Sequence, residues 1–147
     1  MISLYGAGFV GGHFAKMYHE FVDVQGRDER NPKHKDILYF ISTVDNYNVH
    51  DKITLDVDTN LHVLCEVLDH CRSEDITFNF ISSWFVYGKG DTPASETSPC
   101  NPQGFYSITK FCDRIESLWI AVSVFSCWKD SFSVDKPRGK KVKGNVF

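Results

Sequence analysis

An open α/β sandwich built on a parallel sheet is the fold this sequence predicts, on three observations. Short apolar runs rich in branched and aromatic residues alternate with segments whose apolar residues recur every three or four positions. The first run, Ile2–Tyr5, stops at glycines that directly precede the first helical segment. The run "ILYFIST" (Ile37–Thr43) is apolar throughout most of its length, as a strand covered on both faces should be. The order β-α-β…β-α-β-α then requires right-handed crossovers and three layers, with ligands expected at the carboxyl ends of the strands.

In chain order, Ile2–Tyr5 is a short buried strand. The segment "FVGGHFAKMYHEF" places Val10, Phe14, Met17 or Tyr18, and Phe21 on one stripe of a helix, predicted to face the core. A brief strand, "FVDVQ", leads into the charged loop "GRDERNPKHKD". After "ILYFIST" and a polar stretch, Asp58 or Thr59 can cap a helix whose Leu61, Leu64, Val67, Leu68 and Cys71 form the apolar face. Ile76–Gly88 is predicted as the next strand, and a loop of Gly, Pro, Ser, Thr and Asn fills Lys89–Gly104. The last clear helix starts near Phe105, with Ile108, Phe111, Cys112, Ile115, Leu118 and Trp119 on its predicted buried side.

The bulk numbers suit one ordinary domain: 147 residues, 42% hydrophobic and 24% charged. A net charge of −3 gives no electrostatic reason to expect nucleic acid, and the late basic run "KPRGKKVKG" suits a solvated tail. The five cysteines show no C-x-x-C spacing, which points to a reducing compartment without structural disulfide or zinc. "LWIAVSVF" is far short of the ~20 apolar residues of a membrane span, and "MISLYGAGFV" reads as strand and turn rather than signal peptide. A cytoplasmic protein is expected. The six histidines have no ligand spacing that indicates a metal.

"GAGFVG" (Gly6 to Gly11) is a G-x-G-x-x-G between the first strand and the first helix. In that setting Gly6 allows the tight turn, Gly8 leaves room for a pyrophosphate, and Gly11 lets the helix lie close to the sheet. The amide groups of the helix N-terminus add an anion site. After the second strand, Asp23, Arg27 and Asp28 fall within six residues. An acid there would take a ribose 2′-OH and an arginine a 2′-phosphate, so NAD and NADP both stay open. "FNFISSWFVYG" delivers Ser82 and Ser83 at a strand's carboxyl end, and "GFYSITKFCDRIE" carries Tyr106 and Lys110 on one helix face. A tyrosine can move a proton at a carbonyl or alcohol, and a neighbouring ammonium favours its phenolate.

Taken together, "GAGFVGGHF", "ILYFIST", "DTNLHVLCEVL", "ISSWFVYG" and "ETSPCNPQGFYSITKFCDRIE" resemble the extended short-chain dehydrogenase/reductase family, the NAD-dependent epimerase/dehydratase group acting on nucleotide sugars. The resemblance covers roughly residues 1–117 and implies a Rossmann-like fold. By position, it makes Ser83, Tyr106 and Lys110 the catalytic set and Asn60 an architectural residue. Gly6, Gly8, Phe9, Val10, Gly11, Arg27 and Thr43, with Tyr106 and Lys110, would hold NAD or NADP. A nucleotide-sugar substrate and a homodimer through the Thr59–Cys71 and Tyr106–Trp119 helices also follow from the resemblance. The alternative is a weak or inactive dinucleotide-binding remnant, acting alone or with a partner chain.

Three departures from the family pattern shape the expectation. Tyr5 stands where the first glycine of the usual motif aligns. About a dozen residues separate the second strand from "ILYFIST", too few for helix–strand–helix, so the usual third strand is expected to be missing. The likeness stops near Leu118. Residues 1–118 are therefore read as a truncated NAD(P)-binding domain lacking the carboxyl-terminal substrate lobe. Residues 119–147 are read as a divergent tail, frame-shifted or truncated, whose apolar run either adds a strand or extends the helix.

Overall fold

The computed structural model describes residues 1–43, 52, 54–72, 75–90, 93–95, 97–119 and 122–127, with side chains through Asp113. Five strands form one parallel sheet in the order β2-β1-β3-β4-β5: β1 (Ile2–Tyr5), β2 (Val22–Val24), β3 (Asp36–Tyr39), β4 (Thr77–Ser83) and β5 (Val122–Cys127). Every neighbouring pair runs parallel, with Tyr5 opposite Tyr39 and Tyr39 opposite Phe80. Among the described residues β2 is the edge next to β1, and the chain from Gln25 to Lys35 holds no strand, so the third strand is missing between β2 and β3. The α/β Rossmann-like expectation holds.

One face of the sheet carries the core. Tyr5, Ile37, Tyr39, Phe78 and Phe80 alternate inward along their strands and meet Leu64, Val67, Leu68 and Cys71 from α3 (Val63–Cys71). The rings of Tyr39, Phe78 and Phe80 lie 5.6 and 6.2 Å apart between centroids at tilted angles, which suits their quadrupoles. Tyr5 belongs to this cluster: its ring stands 6.1 Å from that of Tyr39. A glycine at that position would leave a hole in this core.

Several elements differ from expectation, each for a physical reason. β3 ends at Tyr39, and Phe40–Thr43 continue as irregular chain beyond the sheet. β4 ends at Ser83 rather than running to Gly88, because the Ser83 hydroxyl accepts the Phe85 amide and caps a 3-10 turn, Trp84–Tyr87. Asp58 and Thr59 do not cap a helix. They lie inside a π-helical turn, Val57–His62, that joins α2 (Thr54–Asp56) to α3.

The helix stripes were also misread in part. On α1 (Phe9–Met17) the only buried residue is Gly11, whereas Met17 and, just beyond the helix, Tyr18 and Phe21 are exposed. Phe14 and Tyr18 of that stripe pack on each other, and Phe14 also meets the ring of Phe40. On α4 (Phe105–Trp119), described to its side chains through Asp113, Ile108 is exposed, Phe111 and Cys112 are half-buried, and the buried residues are Ser107, Thr109, Lys110 and Asp113, while the side chains of Ile115, Leu118 and Trp119 lie outside the described residues. The apolar run beyond Leu118 does both things left open for it: the helix reaches Trp119 and Val122–Cys127 becomes β5. Residues 128–147 lie outside the described part.

Candidate functional site

The glycine turn separates into two kinds of glycine. Gly6 has φ of +88°, and a Cβ there would stand 2.6 Å from the Ile41 amide nitrogen. At Gly11 a Cβ would meet the Gly6 carbonyl oxygen at 2.2 Å. Both positions are fixed by the protein's own backbone. Gly8 is different: a Cβ there meets nothing within 4 Å. It stands at the start of α1, offering no capping side chain, and the next residues, Phe9 and Val10, are exposed. The start of α1 is therefore uncovered by the described residues at Gly8, Phe9 and Val10.

The irregular tail of β3 connects this turn to α4. Gly6 presses on Phe40 and Ile41. The Lys110 ammonium donates to the Ile41 carbonyl at 3.3 Å, and the Tyr106 hydroxyl takes a 3.5 Å hydrogen bond from Ser42 Oγ. Lys110 thus reaches a residue that the glycine turn touches, and Tyr106, one turn away on α4, reaches the residue after it. Ser83 is joined to them through Phe85: its Oγ accepts the Phe85 amide at 3.4 Å, and the Phe85 ring meets that of Tyr106 edge-on at 6.0 Å.

Asn60 fixes this arrangement. Fully buried, it accepts the Thr43 amide through Oδ1 at 2.9 Å, while its Nδ2 donates to Thr43 Oγ1 and, at 3.0 Å, to Thr109 Oγ1. Thr109 in turn donates to the Tyr106 carbonyl at 2.9 Å. The π-helical turn is what aims Asn60 across to both partners, a frequent use of such turns. Thr43 is thereby held as a structural joint at the tip of the β3 tail.

Lys110 is 1% exposed and, among the described residues, meets the Ile41 carbonyl, the Phe80 ring at 4.7 Å and Asp113 Oδ2 at 3.6 Å. Asp113 is fully buried, and so is Asp56, whose carboxylate acts on the ammonium. Desolvation dominates on both sides of the pair. It pulls the Lys110 ammonium below its ordinary range against the attraction of Asp113. It also pushes the Asp113 carboxyl up to about 7 although Lys110 opposes it. Both shifts run toward the neutral forms, as burial dictates.

At the end of β2, Asp23 is occupied within the sheet, its carboxylate 3.4 Å from His34 and 3.6 Å from Lys33. Asp28 and Arg27 are exposed in the following turn, where the Arg27 carbonyl accepts from Arg30. The sequence did not single out Ser42, Thr109, Asp56 or Asp113. The only local signal for Ser42 is its place beside Thr43 at the end of a strand. Among the described residues no group of three metal-ligating side chains is assembled, and no helix is long and apolar enough to cross a membrane.

The profile described as the NAD dependent epimerase/dehydratase family matches residues 36–117, from β3 to the second half of α4. The chain belongs to that family. No curated protein matches it. Among solved structures, a UDP-glucose 4-epimerase superposes with a TM-score of 0.75 at 17% identity, over 85% of this chain and 50% of its own. MoeE5 in complex with UDP-glucose and NAD gives a TM-score of 0.73 at 15% identity, over 85% of this chain and 52% of its own. RMD from Pseudomonas aeruginosa, complexed with NADPH, gives 0.69 at 17% identity, over 85% and 51%. This family member thus spans about half the length of the structures it matches.

Proposed function

We propose that this epimerase/dehydratase family member binds NAD or NADP across the glycine turn. On this reading Ser83, Tyr106 and Lys110 serve hydride chemistry on a nucleotide sugar, as epimerase, dehydratase or reductase. The observation that carries it is the tail of β3, which packs on the glycine turn at Phe40 and Ile41 and is bonded by Lys110 at Ile41 and by Tyr106 at Ser42. Open space over Gly8 supports a pyrophosphate at that spot, since nothing in the protein itself demands a glycine there. Accepting or returning a hydride is the chemistry that such a cofactor supplies when bound.

In this scheme the Tyr106 hydroxyl exchanges the proton of the substrate C–OH, and the Ser83 hydroxyl holds the same oxygen. The Lys110 ammonium stabilises the tyrosinate that forms when the proton has left. On this reading Gly6, Phe9, Val10 and Gly11 shape the pyrophosphate cradle, Thr43 borders the cofactor, and the exposed Arg27 takes an adenosine 2′-phosphate when NADP is bound. Cytoplasmic residence and a homodimer through α3 and α4 complete the proposal. Sedimentation that shows monomer only at high concentration counts against the dimer.

A second reading, a dinucleotide-binding domain with little turnover, is favoured by one observation. The Lys110 ammonium is already committed inward, to Ile41 and Asp113. Titration of the purified chain with NAD(H) and NADP(H) tests both readings. No change in fluorescence or melting temperature at millimolar levels refutes dinucleotide binding altogether. With binding established, Tyr106→Phe is expected to abolish hydride transfer to a nucleotide sugar while leaving cofactor affinity nearly intact. Binding without any turnover in the parent chain selects the second reading.

A further inference from the structure

The 3-10 turn that follows Ser83 carries two large aromatic residues in an unusual position. Trp84 and Phe85 are each 40% exposed, although they sit between a buried strand and the buried Val86. Their rings stack on one another with centroids 4.3 Å apart and planes 24° from parallel. Phe85 then meets the Tyr106 ring edge-on at 6.0 Å. The Ser83 cap that ends β4 sets this geometry, because it turns the chain outward at the hydroxyl. The result is a rigid apolar ledge whose inner end lies against Tyr106 and Ser83.

We propose that Trp84 and Phe85 form the stacking surface for the pyranose ring of the substrate, an inference that rests on the function proposed above. Aromatic residues left open to water beside polar groups suit a ligand with one apolar face and one polar edge. A pyranose has that form: its C–H groups lie on a face and its hydroxyls at the rim. Proximity decides between the sugar and the nucleotide base. Phe85 is the member of the pair whose ring meets that of Tyr106, so a ligand ring at that end of the ledge sits beside the residue proposed to carry the proton. In hydride chemistry that place belongs to the ring bearing the C–OH to be oxidised. The base, joined to the sugar through a diphosphate, lies further out.

The test uses the full chain saturated with NAD+ and then with NADP+. UDP-glucose, dTDP-glucose and GDP-mannose are titrated calorimetrically, each against its own nucleoside diphosphate. Trp84→Ser and Phe85→Ser are expected to weaken the sugar nucleotide that binds by at least about tenfold, the scale of one lost stacking contact. UDP, dTDP or GDP alone, and the cofactor, should change less than about twofold. Trp84→Tyr and Phe85→Tyr should recover most of the loss, and melting curves identify any variant that has lost its fold. Equal weakening of sugar nucleotide and nucleoside diphosphate, weakening of the cofactor, or no weakening at all overturns the ledge. So does a parent chain that takes cofactor but none of the three sugar nucleotides. A parent chain that takes no cofactor refutes the underlying function, and the ledge with it.

Discussion

Replacing Asp113 by asparagine keeps the shape of a buried side chain and removes one titration, so it shows which of two opposing forces governs the Lys110 pocket. In the folded chain desolvation raises the Asp113 carboxyl from its ordinary 3.8 to about 7, against the pull of Lys110 3.6 Å away. The native state therefore holds a proton that the unfolded chain has released over most of that interval. Where the native state binds more protons, stability falls as pH rises. The contribution is complete below pH 3.8 and is lost as pH passes through 7. An interval of about three pH units at ~1.4 kcal/mol each makes the loss roughly 4 kcal/mol.

Asp113→Asn escapes that loss. Urea unfolding followed by tryptophan fluorescence, repeated from about pH 4 to pH 8, should show wild type and variant nearly equal at the acid end, where both carry a neutral group. The variant should then become the more stable by up to roughly 4 kcal/mol at the alkaline end. If the ion pair outweighs desolvation instead, deleting the carboxylate strands a buried ammonium. The variant would then be weaker by roughly 3–5 kcal/mol at neutral pH. That outcome, or a difference that does not change with pH, refutes the reasoning.

The glycines separate folding from binding. Gly11→Ala drives a Cβ into the Gly6 carbonyl, and thermal unfolding should show a loss of roughly 1–3 kcal/mol or more. Gly8→Ala meets open space, so stability should change by no more than about 1 kcal/mol, while cofactor affinity measured by calorimetry falls at least about tenfold. Asn60→Ala removes hydrogen bonds to Thr43 and Thr109 and leaves the Thr43 amide unpaired, for an expected loss of roughly 2–4 kcal/mol in urea unfolding. Arg27→Ala should weaken NADP+ more than NAD+ if that guanidinium meets a 2′-phosphate; equal effects on the two cofactors remove Arg27 from the site.

Much of the site was legible from the chain because its signals are local. A glycine turn between a strand and a helix, a serine at a strand end, and a tyrosine four residues before a lysine each depend on neighbours within one turn or one strand. The alternation of apolar runs with helical stripes likewise sufficed for a parallel sheet, and the short span before β3 for the absent third strand. What periodicity missed was the burial of polar groups on α4. It presumes that buried faces are apolar, yet α4 buries Thr109, Lys110 and Asp113 and leaves Ile108 in water.

That polar burial is a tertiary decision. The polar face of α4 is stable inside because its partners come from far along the chain: the Asn60 amide for Thr109, the Ile41 carbonyl for Lys110 and the Ser42 hydroxyl for Tyr106. None of these pairings follows from local spacing. The exposure of the α1 stripe has the same origin, since a helical stripe is buried only where another element lies over it. The sequence alone determined which chemical groups this protein owns and the order of its strands. Only the packing of α4 against the tail of β3 decided which of those groups meet, because buried polar side chains go where their hydrogen bonds can be completed.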